Sequence, residues 1–121
     1  MKLLYRASEH GFSGPEFHKH CDNIPHTFVL IKTQFGKVIG GYTPCNWEQS
    51  QPINDPSKNS FLISLNLHEK MDLINSNQAI SRMGGYGPVF GNHDICIRNQ
   101  CNTNGSYANF PKSYNKDNKY K

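Results

Sequence analysis

Two apolar segments in the first third of the chain have the composition of β-strands. Thr27–Lys32 contains Phe, Val, Leu and Ile in succession, and Val38–Thr43 combines Val, Ile and Tyr with two glycines. Aromatic and β-branched side chains fit a pleated, half-buried surface. The two segments are separated by a short stretch that contains Gly36, a length and composition typical of a hairpin loop. The pattern therefore predicts an antiparallel hairpin over residues 27–43.

Further apolar runs later in the chain predict additional strands. Residues 60–65 and 94–98 have clear strand character, and the second of these alternates apolar and polar positions. Residues 70–74 and 79–83 predict two weaker strands around a polar Asn-Ser-Asn turn. Residues 3–7 predict a short strand or an extended segment, which the polar residues 8–11 close.

One helix start is visible near the N-terminus. Ser13 can cap the first turn, Pro15 is tolerated there, and Glu16 stands three residues after the cap, as in a capping box. We expect a short helix that ends near Cys21. Phe17 and Cys21 are four residues apart, so they lie on one helix face, which we expect to pack against a sheet.

The stretch 44–60 predicts a loop, because it contains three prolines and many small polar residues. Trp47 is its one large apolar residue. Two interpretations of Trp47 remain open: it packs down onto the sheet, or it forms part of an interface with a partner.

The glycines of the chain predict structure rather than chemistry. A glycine within a strand marks a bulge or a close approach of two backbones. The glycine-rich stretch 84–87 lacks the Lys-Ser/Thr ending and the following helix of a phosphate-binding loop. The residues that we expect to form structural motifs are Gly40, Gly41, Tyr42, Gly87, Pro88, Phe90, Gly91 and Asp94. Asp94 is expected to brace the turn before its strand, so its loss should destabilise the fold.

Composition and charge narrow the class of protein. The 121 residues suit one domain, and the hydrophobic share of 36% is low because residues 99–121 are polar. The net charge of +4 owes much to four lysines near the C-terminus, and no basic cluster with aromatics precedes them, which argues against nucleic-acid binding. No apolar run is long enough for a membrane span or a secretory signal. We therefore expect an intracellular chain, in the cytoplasm.

The candidates for chemistry are the cysteines, the histidines and two carboxylates, Glu9 and Asp94. We expect the two carboxylates to hold loops rather than to act as general acid or base. In a reducing compartment Cys21, Cys45, Cys96 and Cys101 are expected to be free thiols. A zinc site would need about four converging ligands, and the group His18, His20, Cys21 and His26 has no second pair. Cysteine catalysis by Cys21 or Cys96 with His93 can be imagined, but the spacing does not favour it. We expect structural thiols, no metal and no cofactor, and an oxidation-sensing thiol is the remaining alternative.

Taken in order, a series of short motifs resembles the TLDc domain family. The motifs span residues 3–114. They are Leu3-Leu4-Tyr5-Arg6-Ala7-Ser8, Gly11-Phe12, Phe17-His18, Cys21-Asp22, Gly40-Gly41-Tyr42, Trp47, Phe61-Leu62, the segment 86–95, Cys101-Asn102 and Ser106-Tyr107.

The resemblance implies an α+β fold in which an antiparallel β-sandwich is flanked by short helices. It also implies a eukaryotic, non-catalytic domain that binds a protein partner. The family is linked to oxidative-stress resistance and to regulation of the vacuolar proton-pumping ATPase, so a subunit of that pump is the expected partner. The alternative from another class is a small redox-active or hydrolytic enzyme that uses Cys and His.

The C-terminal end departs from the family pattern. Family members carry a closing strand rich in Glu, Val and Trp after the polar loop, whereas this chain continues as a lysine-rich segment. Two alternatives follow: the domain is truncated, or another element fills that edge. We assign residues 1–114 to a TLDc-like domain that is incomplete at its C-terminus, and residues 115–121 to a polar lysine-rich tail.

Overall fold

The computed structural model describes residues 2–33, 36–47, 52–81, 86–92, 94–101, 106–108 and 113–116. Within these ranges the chain forms two antiparallel sheets and two short helices. The helices are α1 (Ala7–His10) and α2 (Gly14–Cys21). The α+β sandwich expected from the sequence is confirmed.

The first sheet contains the predicted hairpin. Its strands are β1 (Thr27–Lys32), β2 (Val38–Thr43), β4 (Phe61–Ser64), β5 (Glu69–Leu73) and β10 (Tyr114–Lys116). They lie in the order β1-β2-β4-β5-β10, and every neighbouring pair is antiparallel. Both strands of the hairpin have the predicted bounds. The first sheet is therefore a meander of four strands that β10 extends at one edge.

The second sheet is built from shorter strands. These are β3 (Pro52–Ile53), β6 (Ile80–Ser81), β7 (Val89–Phe90), β8 (Ile95–Cys96) and β9 (Tyr107–Ala108). They lie in the order β3-β6-β7-β8-β9, again with antiparallel pairs. The turn between β5 and β6 is a 3₁₀ turn, Ser76–Gln78.

Helix α2 begins as the sequence predicts. The Ser13 side chain accepts a hydrogen bond from the Glu16 backbone N–H at 3.2 Å, which satisfies one amide that has no partner inside the helix. Phe17 and Cys21 are both buried, so the predicted apolar face is confirmed. This face places Phe17 in the core of the sandwich.

Two sequence predictions of secondary structure were wrong, and one helix was not predicted. Residues 3–6 form neither helix nor strand, in agreement with the extended alternative, but helix α1 follows them, with Glu9 and His10 both donating their backbone N–H to Arg6 O at 2.9 Å. The stretch 44–60 is not wholly a loop, since β3 pairs with β6 there. Asn115 and Lys116, which the sequence analysis assigns to the tail, pair with β5 as part of β10.

Aromatic rings from distant parts of the chain fill the space between the sheets. Trp47 is fully buried and contacts Phe17 and Phe90 edge to face, with ring centroids 5.4 Å away in each case. Phe90 in turn packs against Tyr114 of β10 at 6.5 Å. Such T-shaped contacts suit the charge distribution of aromatic rings. The core therefore links helix α2, the Trp47 loop and both sheets.

Candidate functional site

The first sheet presents one face to the core and the other to solvent. Leu62 and Met71 point inward and are buried. Successive side chains of a strand point to opposite faces. Phe61 and Lys70 therefore point outward, and Phe28 and Tyr42 lie in the same cross-strand rows. We call the surface formed by Phe28, Leu30, Tyr42, Phe61 and Lys70 the outer face.

Aromatic side chains form a continuous row across the outer face. The Tyr42 and Phe61 rings are stacked with centroids 5.4 Å apart, and Phe28 lies 6.3 Å from Phe61. Lys70 Nζ lies 4.8 Å from the centroid of the Phe61 ring, a distance suited to a cation–π contact. Phe28 is 43% exposed and Leu30 is 60% exposed. Exposed apolar surface of this kind is typical of a surface that binds another protein.

The two glycines of β2 lie on opposite faces of the first sheet. A Cβ at Gly40 would lie 2.5 Å from the backbone oxygen of Val29 and 3.2 Å from Leu30 Cδ2, so the absence of a side chain there allows the close approach of β1. A Cβ at Gly41 would lie 2.6 Å from Phe90 Cζ. Gly41 therefore allows a ring from the second sheet to pack against the backbone of the first, next to Tyr42.

Replacement of Gly41 by Ala should destabilise the protein by about 1–3 kcal/mol, because an added methyl group would overlap the Phe90 ring. The ring has little room to move, since Trp47 and Tyr114 hold it on two sides. Chemical denaturation measures the change. Gly87→Ala is the matched control, because a Cβ there would make only ordinary contacts with Ile97 at 3.4 Å. Equal stability of the two variants would contradict this account of Gly41.

The motif residues between 87 and 91 lie in and next to β7. Gly87 and Pro88 extend the β7–β8 pairing, since Gly87 N donates to Ile97 O at 2.8 Å and Ile97 N donates to Pro88 O at 3.1 Å. Gly91 has φ of +67°, a conformation that favours glycine, and its N–H donates to Ala79 O at 2.8 Å.

Asp94 joins the second sheet to the edge of the first. It is fully buried, and its two carboxylate oxygens accept hydrogen bonds from the backbone N–H groups of Ser113 at 3.0 Å and Tyr114 at 3.1 Å. These amides lie at the start of β10, and among the described strands none pairs with them. The hydroxyl of Tyr114 donates to Ala79 O at 2.6 Å, a second link between the sheets. The contacts of Asp94 are therefore those of a residue that stabilises the fold.

The interface interpretation of Trp47 was wrong. Its side chain has no exposed surface, and the indole Nε1–H donates a hydrogen bond to Thr27 Oγ1 at 2.9 Å. The loop that carries Trp47 is polar, but the ring inserts between Phe17 and Phe90. In this fold Trp47 cannot contact a partner.

The histidines of helix α2 have separate structural partners. His18 is buried, with Nδ1 2.6 Å from Asp22 Oδ1 and Nε2 2.9 Å from Tyr86 O. His20 Nδ1 lies 2.9 Å from Glu16 O. In the part of the chain that the structure describes, no three His, Cys, Asp or Glu side chains are arranged to hold a metal ion.

Three of the thiols lie in environments that disfavour the reactive thiolate form. Burial raises the pKa of the Cys21 thiol to about 12, and the neighbouring Asp22 adds to this shift. Burial likewise raises the pKa of Cys45 and of Cys101. Cys96 is fully buried in β8. His93, which the sequence analysis considered beside Cys96, lies outside the described residues.

Two parts of the structure were missed by reasoning from sequence. Asp55 is buried and accepts hydrogen bonds from Ser57 and Ser60. Burial favours its neutral form, but these hydrogen bonds outweigh that effect and lower the pKa of Asp55. The outer face was the second, because β1 is apolar at successive positions and gives no sign that one of its faces is exposed.

Comparison with known proteins places the chain in a family. A family model for the TLDc domain matches residues 1–120. The chain belongs to the TLDc domain family. The match includes all of β10, beyond residue 114 where the sequence analysis ends the domain. Neither the curated proteins nor the solved structures yield a significant match.

The structure adds physical detail to the TLDc assignment. Its motif residues build the junction between the two sheets, in which Gly41 receives Phe90 and Asp94 holds β10. The outer face lies on the other side of the first sheet, so this junction does not cover it. Among the described residues of this TLDc domain, no helix combines the length and apolar character that crossing a membrane requires.

Proposed function

We propose that this TLDc domain is a non-catalytic protein-interaction domain and that its outer face contacts the partner. The observation that carries the proposal is the aromatic row of Phe28, Tyr42 and Phe61 on the outer face, with Lys70 above the Phe61 ring. Phe28 is exposed, and the other two rings are half-buried. Aromatic side chains at protein interfaces contribute a large share of the binding energy. The row lies on a sheet whose inner side is anchored by the core, so it is held in place before binding.

The environments of the thiols also support a binding role. A cysteine nucleophile needs a lowered pKa or a neighbouring base, whereas Cys21, Cys45 and Cys101 all have a raised pKa. Among the described residues, no specific observation favours a cysteine enzyme. The ammonium group above the Phe61 ring, that of Lys70, lies 3.4 Å from Asp72 Oδ1, so the charge beside the aromatic row is balanced by a carboxylate.

Resemblance to the TLDc family suggests a subunit of the vacuolar proton-pumping ATPase as the partner. On this proposal the domain acts in the cytoplasm, where it binds the pump. Protection against oxidative damage is then a consequence of the altered pump activity rather than of chemistry on this chain.

The test is binding of the purified chain to the purified proton pump, compared with Phe61→Asp. Charge at the centre of the outer face should weaken binding about tenfold or more, because the aspartate would lose its hydration in the complex. Leu67→Asp is the matched control, since Leu67 is 65% exposed and lies in the turn between β4 and β5. Circular dichroism checks that both variants fold.

The possible outcomes separate the two parts of the proposal. If the parent chain does not bind the pump, the choice of partner is wrong. If it binds and Phe61→Asp binds equally well, the outer face is not the contact surface. A catalytic turnover that is lost on alkylation of the thiols in the folded chain would contradict the non-catalytic role.

A further inference from the structure

The edge strands of the two sheets differ in how well they are protected from pairing with another chain. In the described parts of the chain, β3 and β9 have two residues each, and β3 begins with Pro52. Strand β10 has three residues, and Asp94 binds the outward amides at its start. Strand β1 has six residues with neither proline nor glycine. Short strands, prolines, charged side chains and covered amides are the usual protections of a sheet edge. Of these, β1 has only Lys32 at its end, and among the described residues no hydrogen bond covers its outward amides.

The register shows which backbone groups of β1 face away from the sheet. Leu65 N donates to Val38 O, so the even-numbered residues of β2 bond to β4. The odd-numbered residues of β2 therefore bond to β1, and Thr33 N donates to Lys37 O in the same register at 2.8 Å. It follows that the N–H and C=O groups of three β1 residues point outward from the edge. These residues are Phe28, Leu30 and Lys32.

The side chains of β1 are also incompletely covered on both faces. Leu30 and Phe28 on the outer face are 60% and 43% exposed. Val29 and Ile31 face the core but are only half-buried, whereas Leu62 and Met71 on the interior strands are buried. An added strand beside β1 would remove apolar surface from water on both sides of the sheet.

We propose that β1 pairs with β1 of a second copy of this chain, antiparallel and about a two-fold axis at Leu30. Each Leu30 then faces Leu30 of the second copy as a hydrogen-bonded pair, and Phe28 faces Lys32. The two first sheets become one continuous sheet, and the two outer faces become one surface. The proposal extends beyond the interaction role above and is tested on the chain alone.

The charged and apolar residues of β1 explain why a second copy of β1 is the partner strand and why the two strands pair at Leu30. Lys32 is the one charged residue of the strand. In the Leu30 register its ammonium lies over the Phe28 ring of the second copy, like Lys70 over Phe61 within the sheet. Moving the axis by one residue toward Lys32 would set Lys32 opposite Leu30 instead of Phe28, and moving it by two would place the two lysines directly opposite each other, where like charges are destabilising. Moving the axis toward Phe28 would take Lys32 away from the Phe28 ring of the second copy. The Leu30 register is therefore the one in which β1 is most complementary to itself.

The test is the mass of the parent chain in solution across a range of concentrations, measured by sedimentation equilibrium. The expected result is a reversible dimer with twice the 13.8 kDa of the chain. Leu30→Lys should weaken the dimer about tenfold or more, because two ammonium groups would meet at the axis. Leu67→Lys is the matched control, an exposed leucine outside β1. Circular dichroism checks the fold of both variants.

A cross-link tests the register directly. In a hydrogen-bonded antiparallel pair the Cα atoms are about 5.5 Å apart, a distance that a disulfide can span. Leu30→Cys should therefore form a covalent dimer under mild oxidation in excess of any formed by the parent chain, and Leu67→Cys should not. A monomer at every concentration would overturn the proposal. So would a dimer that Leu30→Lys and Leu67→Lys affect equally, because another surface would then hold the two copies together.

Discussion

Replacement of Asp94 by Ala should destabilise the protein by about 2–6 kcal/mol, because it leaves two buried amides without an acceptor and each costs about 1–3 kcal/mol. The amides are those of Ser113 and Tyr114, which the carboxylate oxygens bind at 3.0 and 3.1 Å. The loss is a large fraction of the stability of a domain of this size. Chemical denaturation measures it, and hydrogen exchange should show faster exchange in β10 than in β1 and β2.

Two further variants make the Asp94 result specific. Asp94→Asn keeps one carbonyl oxygen but places an amide group beside the second N–H, so its loss of stability should be intermediate. Asp72→Ala is the matched surface control. Asp72 is exposed and pairs with Lys70, so its loss should change stability by roughly 0.5 kcal/mol or less. An unchanged melting temperature of Asp94→Ala would show that β10 is held by other contacts.

The sequence predicts those parts of the fold that depend on neighbouring residues. The bounds of β1 and β2 follow from their composition and from the length of the loop between them. The start of α2 follows from the cap at Ser13, which needs a partner only three residues away. Such features are predictable because the residues that cause them are close together in the sequence, and the structure confirms them.

The sequence could not predict features that depend on distant contacts. Strand β10 is polar, and it is a strand because it pairs with β5 and because Asp94, about twenty residues earlier, binds its amides. The sequence also does not predict that one side of β1 is exposed. Its residues Phe28 to Ile31 are all apolar, a pattern typical of a strand buried on both faces, whereas in the fold one face is exposed and the other is half-buried. The candidate site could therefore be found only from the structure.

The burial of Trp47 also depends on contacts with distant residues, Phe17 and Phe90. Trp47→Ala should destabilise the protein by about 3–5 kcal/mol, because it leaves a cavity between Phe17 and Phe90. Phe28→Ala, which removes a ring from the outer face, should cost clearly less, since Phe28 is 43% exposed. Chemical denaturation followed by circular dichroism compares the two variants.

Trp47 is the single tryptophan of the chain, so its fluorescence reports on this site alone. In the folded parent chain the emission should resist quenching by iodide, and the resistance should disappear on unfolding. Trp47→Phe should retain most of the packing but lose the hydrogen bond to Thr27 Oγ1, at a cost of about 1–2 kcal/mol. Because Thr27→Val removes the acceptor as well, the loss for the double variant should be smaller than the sum of the two single losses. Strong quenching in the folded chain would instead mean that the ring is exposed, and the interface interpretation of Trp47 would return.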